Sequence, residues 1–182
     1  MPMKIRTALL ALLFAAAPAL ADTVDLGPHG SLSIAVPKGW RLTSAKQADV
    51  GVTLQLIPQG DVNAQALMTV VFTEKGEAAT NADVDEKTLT AADNFVDQSV
   101  EKKKVLRHFS MSGGAYGSYC FFTDASLVGS QPKKGDFKCV ASGIVRLSDE
   151  VSAGVTLLTD DEKGEDFGAM LAAVSSAKVS AR

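Results

Sequence analysis

Two histidines, two cysteines, three Ser-x-x-Lys spacings and one acidic run are the residues of this chain whose types could do chemistry. An imidazole can serve as a general base or a metal ligand near neutral pH. His29 and His108, however, are far apart in sequence, no H-E-x-x-H helix exists, and no Cys/His cluster has zinc-ligand spacing. His29, between Pro28 and Gly30, is expected in an exposed turn, and His108 follows Arg107 at a helix-to-strand junction. Either could complete a metal site with carboxylates from elsewhere; a solvated or structural histidine is the simpler reading. The Ser-x-x-Lys spacings are Ser99–Lys102, Ser130–Lys133 and Ser175–Lys178, and their companion elements S-D-N and K-T-G are missing. G-x-S-x-G, the Walker loop and G-x-G-x-x-G are also missing. The run Asp160-Asp161-Glu162-Lys163-Gly164-Glu165-Asp166 is out of register with a calcium loop, and acids at the start of a helix are favourable in themselves. No catalytic, cofactor-binding or metal-ligating residue is nominated, and no cofactor is expected.

Cys120 and Cys139 are expected to form a disulfide. Their spacing lacks the C-x-x-C pattern of a tuned thiol pair. If the two flanking strands pair antiparallel about a loop centred near Gly129, the cysteines fall opposite each other. Closing a loop of that size would contribute about 3 kcal/mol.

The oxidising compartment this requires is suggested by the opening MPMKIRTALLALLFAAAPALAD. Lys4 and Arg6 are a positive n-region, Ala8 to Ala17 is an apolar run, Pro18 breaks it, and Ala19-Leu20-Ala21 is a small-x-small cleavage site. The run is shorter than the ~20 residues needed to span a bilayer. Residues 1–21 are therefore read as a signal peptide cleaved between Ala21 and Asp22, and residues 22–182 as one globular domain, periplasmic or secreted, with no membrane span. Loss of Lys4 and Arg6 leaves 16 basic against 21 acidic residues, a net charge of −5. Such a surface repels phosphate backbones, so nucleic acid is not an expected partner. The one basic cluster, Lys102-Lys103-Lys104 with Arg107, is expected at a helix C-terminus, where cations offset the helix dipole.

Stepping outward to the elements, strands are predicted over Val24–Leu26, Ser31–Val36, Val50–Ile57, Ala66–Thr73, Phe109–Met111, Tyr116–Thr123, Phe137–Leu147 and Val151–Thr159. Glu74 to Thr80 reads as a loop. A long helix is predicted from Val84 to Leu106, capped by Asn81 or Asp83, and a second from Gly164 to about Val179. Strands in runs with short connections favour antiparallel pairing. The expected fold class is α+β, with an antiparallel sheet of about six or seven strands carrying both helices on its faces. In the aromatic strand, Tyr119 and Phe121 share one face while Tyr116, Cys120 and Phe122 share the other. Core on both sides is favoured over a partner-binding patch.

The element order, with Ser31 to Val36 followed by Pro37-Lys38-Gly39-Trp40, resembles the PsbP-like fold, which includes Mog-type Ran-binding proteins. That resemblance implies an accessory or partner-binding role and carries no ligand or partner residues across. The expected function is a non-enzymatic periplasmic accessory or partner-binding protein, its partner another envelope or exported protein. A small-molecule or metal-binding protein, and a hydrolase with a spatially assembled site, remain as alternatives.

Overall fold

The computed structural model describes residues 21–47, 51–73 and 79–181. The signal-peptide reading of residues 1–20 and most of the loop expected over 74–80 lie outside the described residues. In chain order the elements are β1 (Ala21–Asp25), β2 (Ser31–Ala35), β3 (Trp40–Gln47), β4 (Gly51–Pro58), β5 (Gln65–Phe72), α1 (Asn81–Val96), β6 (Leu106–His108), β7 (Tyr116–Thr123), β8 (Cys139–Arg146), β9 (Val151–Thr159), α2 (Glu165–Ser175) and β10 (Lys178–Ser180). Alternation of burial along β4, β8 and β9 marks the centre of a seven-stranded sheet ordered β3-β4-β5-β9-β8-β7-β6, antiparallel throughout. A second antiparallel sheet, β1-β2-β10, was not expected as a separate unit. The α+β class holds, and Asp22, where cleavage would fall, is the second residue of β1, paired with Ile34.

Register lines up the core in cross-strand rows. Leu54, Met68, Val155, Gly143 and Tyr119 lie side by side across five strands, and Leu56, Ala66, Leu157, Ala141 and Phe121 form the next row. Gly143 has no side chain because a Cβ there would stand 2.7 Å from the Cβ of Tyr119 and 2.3 Å from the carbonyl oxygen of Ser118. Leu32 and Ile34 of β2 and Phe167, Met170, Ala173 and Val174 of α2 are buried in the same core. Burying a large aliphatic or aromatic side chain contributes about 1.5–3 kcal/mol, so this layer carries most of the fold's stabilisation.

Both helices are shorter than their sequence patterns predict. α1 begins with a capping box in which the Thr80 hydroxyl accepts from the Asp83 amide and the Asp83 carboxylate accepts from the Thr80 amide. Thr80 is therefore the cap and Asp83 its reciprocal partner. The helix stops at Val96 because the edge of β7 offers competing partners. Val100 donates its amide to the Thr123 carbonyl, and the Glu101 carboxylate accepts from both the amide and the hydroxyl of Thr123. Lys102 lies beyond the helix at φ 52°, although its ammonium still reaches the Asp97 carbonyl at the helix C-cap. Lys104 pairs with Asp93, and Arg107 pairs with Glu162. The basic cluster thus splits among three tasks instead of forming the last turn of a helix.

α2 ends at Ser175. The Ser176 hydroxyl donates to the Ala173 carbonyl and accepts the Ala35 amide of β2, turning the chain so that β10 pairs with β2. The predicted helix to Val179 is replaced there by a strand, because the open edge of β2 offers backbone partners.

Candidate functional site

α1 runs along β7 as a helical ridge set on a strand. Its residues Asp85, Thr88, Ala92 and Phe95 step by three and four, while Tyr116, Ser118, Cys120 and Phe122 step by two. Asp85 accepts from the Tyr116 hydroxyl at 3.0 and 3.1 Å. Ser118 Oγ donates to Thr88 Oγ1 at 3.0 Å, and Thr88 Oγ1 donates to the Ser118 carbonyl at 3.3 Å. Ala92, Cys120 and Phe122 form a second small core, with the Phe95 and Phe122 rings stacked at 5.7 Å. On the opposite face, Phe167 of α2 meets Tyr119 and Phe121 edge-on. The aromatic strand is core on both faces.

Where α1 ends, a cleft of about 220 Å³ opens against the ends of β7 and β8. Phe95, Phe122, Phe137 and Val140 supply its apolar lining. Asn94 and Gln98 stand at the helix side and Lys138 at the strand side. Asp124 also lines it, but its carboxylate accepts from the amide and the hydroxyl of Ser126.

α1 packs on β6, β7 and β8. Beyond it, on the same side of the sheet, no described element packs over β4, β5 and β9. Their outward residues are Thr53, Gln55 and Ile57; Gln65, Leu67, Thr69 and Val71; and Ser152, Gly154, Thr156 and Leu158. All are half-buried or exposed and none is charged. Solvent-facing surfaces commonly carry charge at about a quarter to a third of positions. A Cβ added at Gly154, in the middle of this face, would meet nothing within 4 Å. Leu158 is the cross-strand neighbour of Val140, so the face and the cleft meet at that pair.

The cysteines expected to bridge are not brought together. Cys139 lies opposite Thr123, and Cys120 lies opposite Ser142. The register is offset by three residues from the one that would oppose the cysteines, and an odd offset sends the two side chains to opposite faces of the sheet. Cys120 belongs to the core under α1 and Cys139 to the core under α2, and both thiols are free. Burial pushes both thiols above their ordinary acidity range.

The histidines are also separately engaged. His29 is in the expected turn but half-buried, stacked on Phe72 at 4.0 Å, with Nδ1 3.7 Å from Glu150. His108 Nε2 lies 3.7 Å from Asp85, beside Tyr116. Neither lines the cleft. Among the described residues no three His, Cys, Asp or Glu side chains gather to hold a metal ion. The acidic run forms the turn from β9 into α2, where Asp160 accepts from Asn63 and from the Lys138 amide, and Asp161 from the Lys163 amide. Neither the cleft nor the uncharged face was foreseen in the sequence. The outward Thr, Ser and Gln positions of β4, β5 and β9 were the available signal.

Fold and site together define an antiparallel α+β protein in which the described elements cover half of one sheet face. No protein-family model matches the chain, and no curated protein matches it. Among the described residues no helix is long and apolar enough to cross a membrane.

Proposed function

We propose that this chain is an exported, non-enzymatic partner-binding protein, periplasmic or secreted after cleavage between Ala21 and Asp22, and that the uncharged face of β4, β5 and β9 is its docking surface. The observation that carries the reading is the half-covered sheet. Among the described elements, one face is closed by β2 and α2 and the other by α1 alone, which leaves a neutral surface on an otherwise acidic chain. Desolvating Thr, Ser, Gln and aliphatic side chains costs far less than desolvating charges, and cores of protein interfaces are depleted in charge. The resemblance to the PsbP-like fold points to the same class of role, with another envelope or exported protein as partner.

The test is affinity capture with crosslinking from the native envelope, run in parallel on the unaltered chain and on Thr69→Glu. Thr69 is exposed, so the substitution should leave thermal unfolding unchanged. A stoichiometric partner recovered by the first and lost by the second supports the reading. A partner retained equally by both, or none in either, removes this face as the docking surface.

A further inference from the structure

We propose that the cleft at the end of α1 binds an aryl group carrying a carboxylate, with the ring among Phe95, Phe122 and Phe137 and the carboxylate on the Lys138 ammonium. This stands apart from the partner reading, because the cleft is built by α1, β7 and β8 and not by the uncharged face.

Size sets the first limit. A dry cavity of about 150 Å³ is enough for benzene, whereas drug-sized ligands occupy pockets of roughly 300–1,000 Å³. The cleft, at about 220 Å³, fits one ring with a short polar tail. Lining chemistry sets the second. The Phe95 and Phe122 rings are already stacked, and a third ring inserted beside them gains the offset or edge-on contacts that aromatic groups favour.

Charge sets the third. Three acids stand near the cleft, and all are occupied: Asp160 accepts from the Asn63 side-chain amide and from the Lys138 backbone amide. Asp124 is held by Ser126, and Glu101 by the amide and hydroxyl of Thr123. Lys138 immediately precedes β8 and lines the cleft beside Cys139 and Val140. Its amide is fixed by Asp160 and its carbonyl by the Asp124 amide, while its ammonium has no ion-pair partner among the described residues. Among the described residues Lys138 is the only cation lining the cleft. Across from it Asn94 gives one amide hydrogen to the Ala91 carbonyl and keeps a second, and the Gln98 amide is available as a further donor. A cation beside amide donors at the mouth of an aromatic slot selects an anion with an apolar body over either group alone.

The same chemistry occurs in a free arylalkanoic acid and in an aromatic residue that ends a polypeptide, and the experiment separates them. Uniformly ¹⁵N-labelled protein is titrated with 3-phenylpropionate, with its primary amide, and with a pentapeptide ending in Phe as free acid or as amide. Backbone signals of residues 94–98 and 138–140 should move with the acids, at least tenfold more tightly than with the matched amides. Lys138→Gln should abolish that difference while thermal unfolding stays unchanged. Tighter binding of the peptide acid would assign the site to chain termini; tighter binding of 3-phenylpropionate would assign it to small acids. Equal affinity for acids and amides, or signals that move elsewhere on the protein, would overturn the proposal. Thr69→Glu should leave these titrations unaltered, so failure of the docking face and failure of the cleft are read independently.

Discussion

The buried hydroxyl pair between α1 and β7 allows a sharp measurement. Thr88 and Ser118 are both fully buried, and each hydroxyl is satisfied through the other element. Thr88→Val preserves shape but leaves the Ser118 hydroxyl without an acceptor in a dry contact. An orphaned buried donor costs about 1–3 kcal/mol. Ser118→Ala is milder, because Thr88 can still donate to the Ser118 carbonyl 3.3 Å away; about 0.5–1.5 kcal/mol is expected. The double variant removes both hydroxyls and leaves no orphaned donor, so it should be more stable than Thr88→Val alone. Urea unfolding followed by circular dichroism reads this directly. With a slope of about 1–3 kcal/mol per molar, a 2 kcal/mol loss moves the midpoint by about 1 M. If the two single losses simply add in the double variant, the hydroxyls act independently and the reasoning about α1 docking fails.

Three further outcomes follow from the same structure. Intact mass with and without reductant should be identical, and both Cys120 and Cys139 should resist alkylation until the protein is unfolded, since burial holds each thiol protonated. With folded thiol pKa values raised above their unfolded values, their contribution to stability is present at neutral pH and is lost as pH rises through the alkaline range; titrating unfolding above the ordinary thiol range should show that decline, and Cys120→Ala should diminish it. At the other end of the scale, the Thr80 hydroxyl and amide hold the Asp83 carboxyl below its usual range. That contribution is present above the unfolded pKa and lost as pH falls through the lower folded value. Thr80→Ala should cost about 1 kcal/mol at neutral pH and flatten the acid-side loss of helicity measured by circular dichroism.

Strand content was legible wherever burial alternated. Val151–Thr159 was bounded correctly because its burial alternates without interruption, and Tyr116–Thr123, buried on both faces, because its run is dense in aromatic residues. β3 went unrecognised, since Arg41, Thr43, Ser44, Ala45 and Lys46 are all exposed on an edge strand and show no apolar alternation. The helix ends were misplaced for a different reason. Residues 97–105 have helical composition, but Thr123 offers them backbone and side-chain partners that only the folded sheet assembles. The cysteine pairing failed on register, which a loop of this length does not fix. The separation between Thr123 and Cys139 accommodates several hairpin registers, and the one adopted is set by the rows through Tyr119 and Gly143. The cleft was illegible because it joins residues from α1, β7 and the approach to β8, and no local pattern marks such a junction.

The pairing of β10 with β2 shapes how the chain can mature. The Ser33 hydroxyl donates to the Lys178 carbonyl 145 residues away, and the Ala35 amide donates to a hydroxyl 141 residues distant. Contacts that span so much chain form slowly, because their ends must first find each other. Residues 31–35 are synthesised early and wait, with their outer edge unsatisfied, until residues 176–180 emerge. Such an intermediate is vulnerable to proteolysis. Closure is the clasp of the last strand on the second.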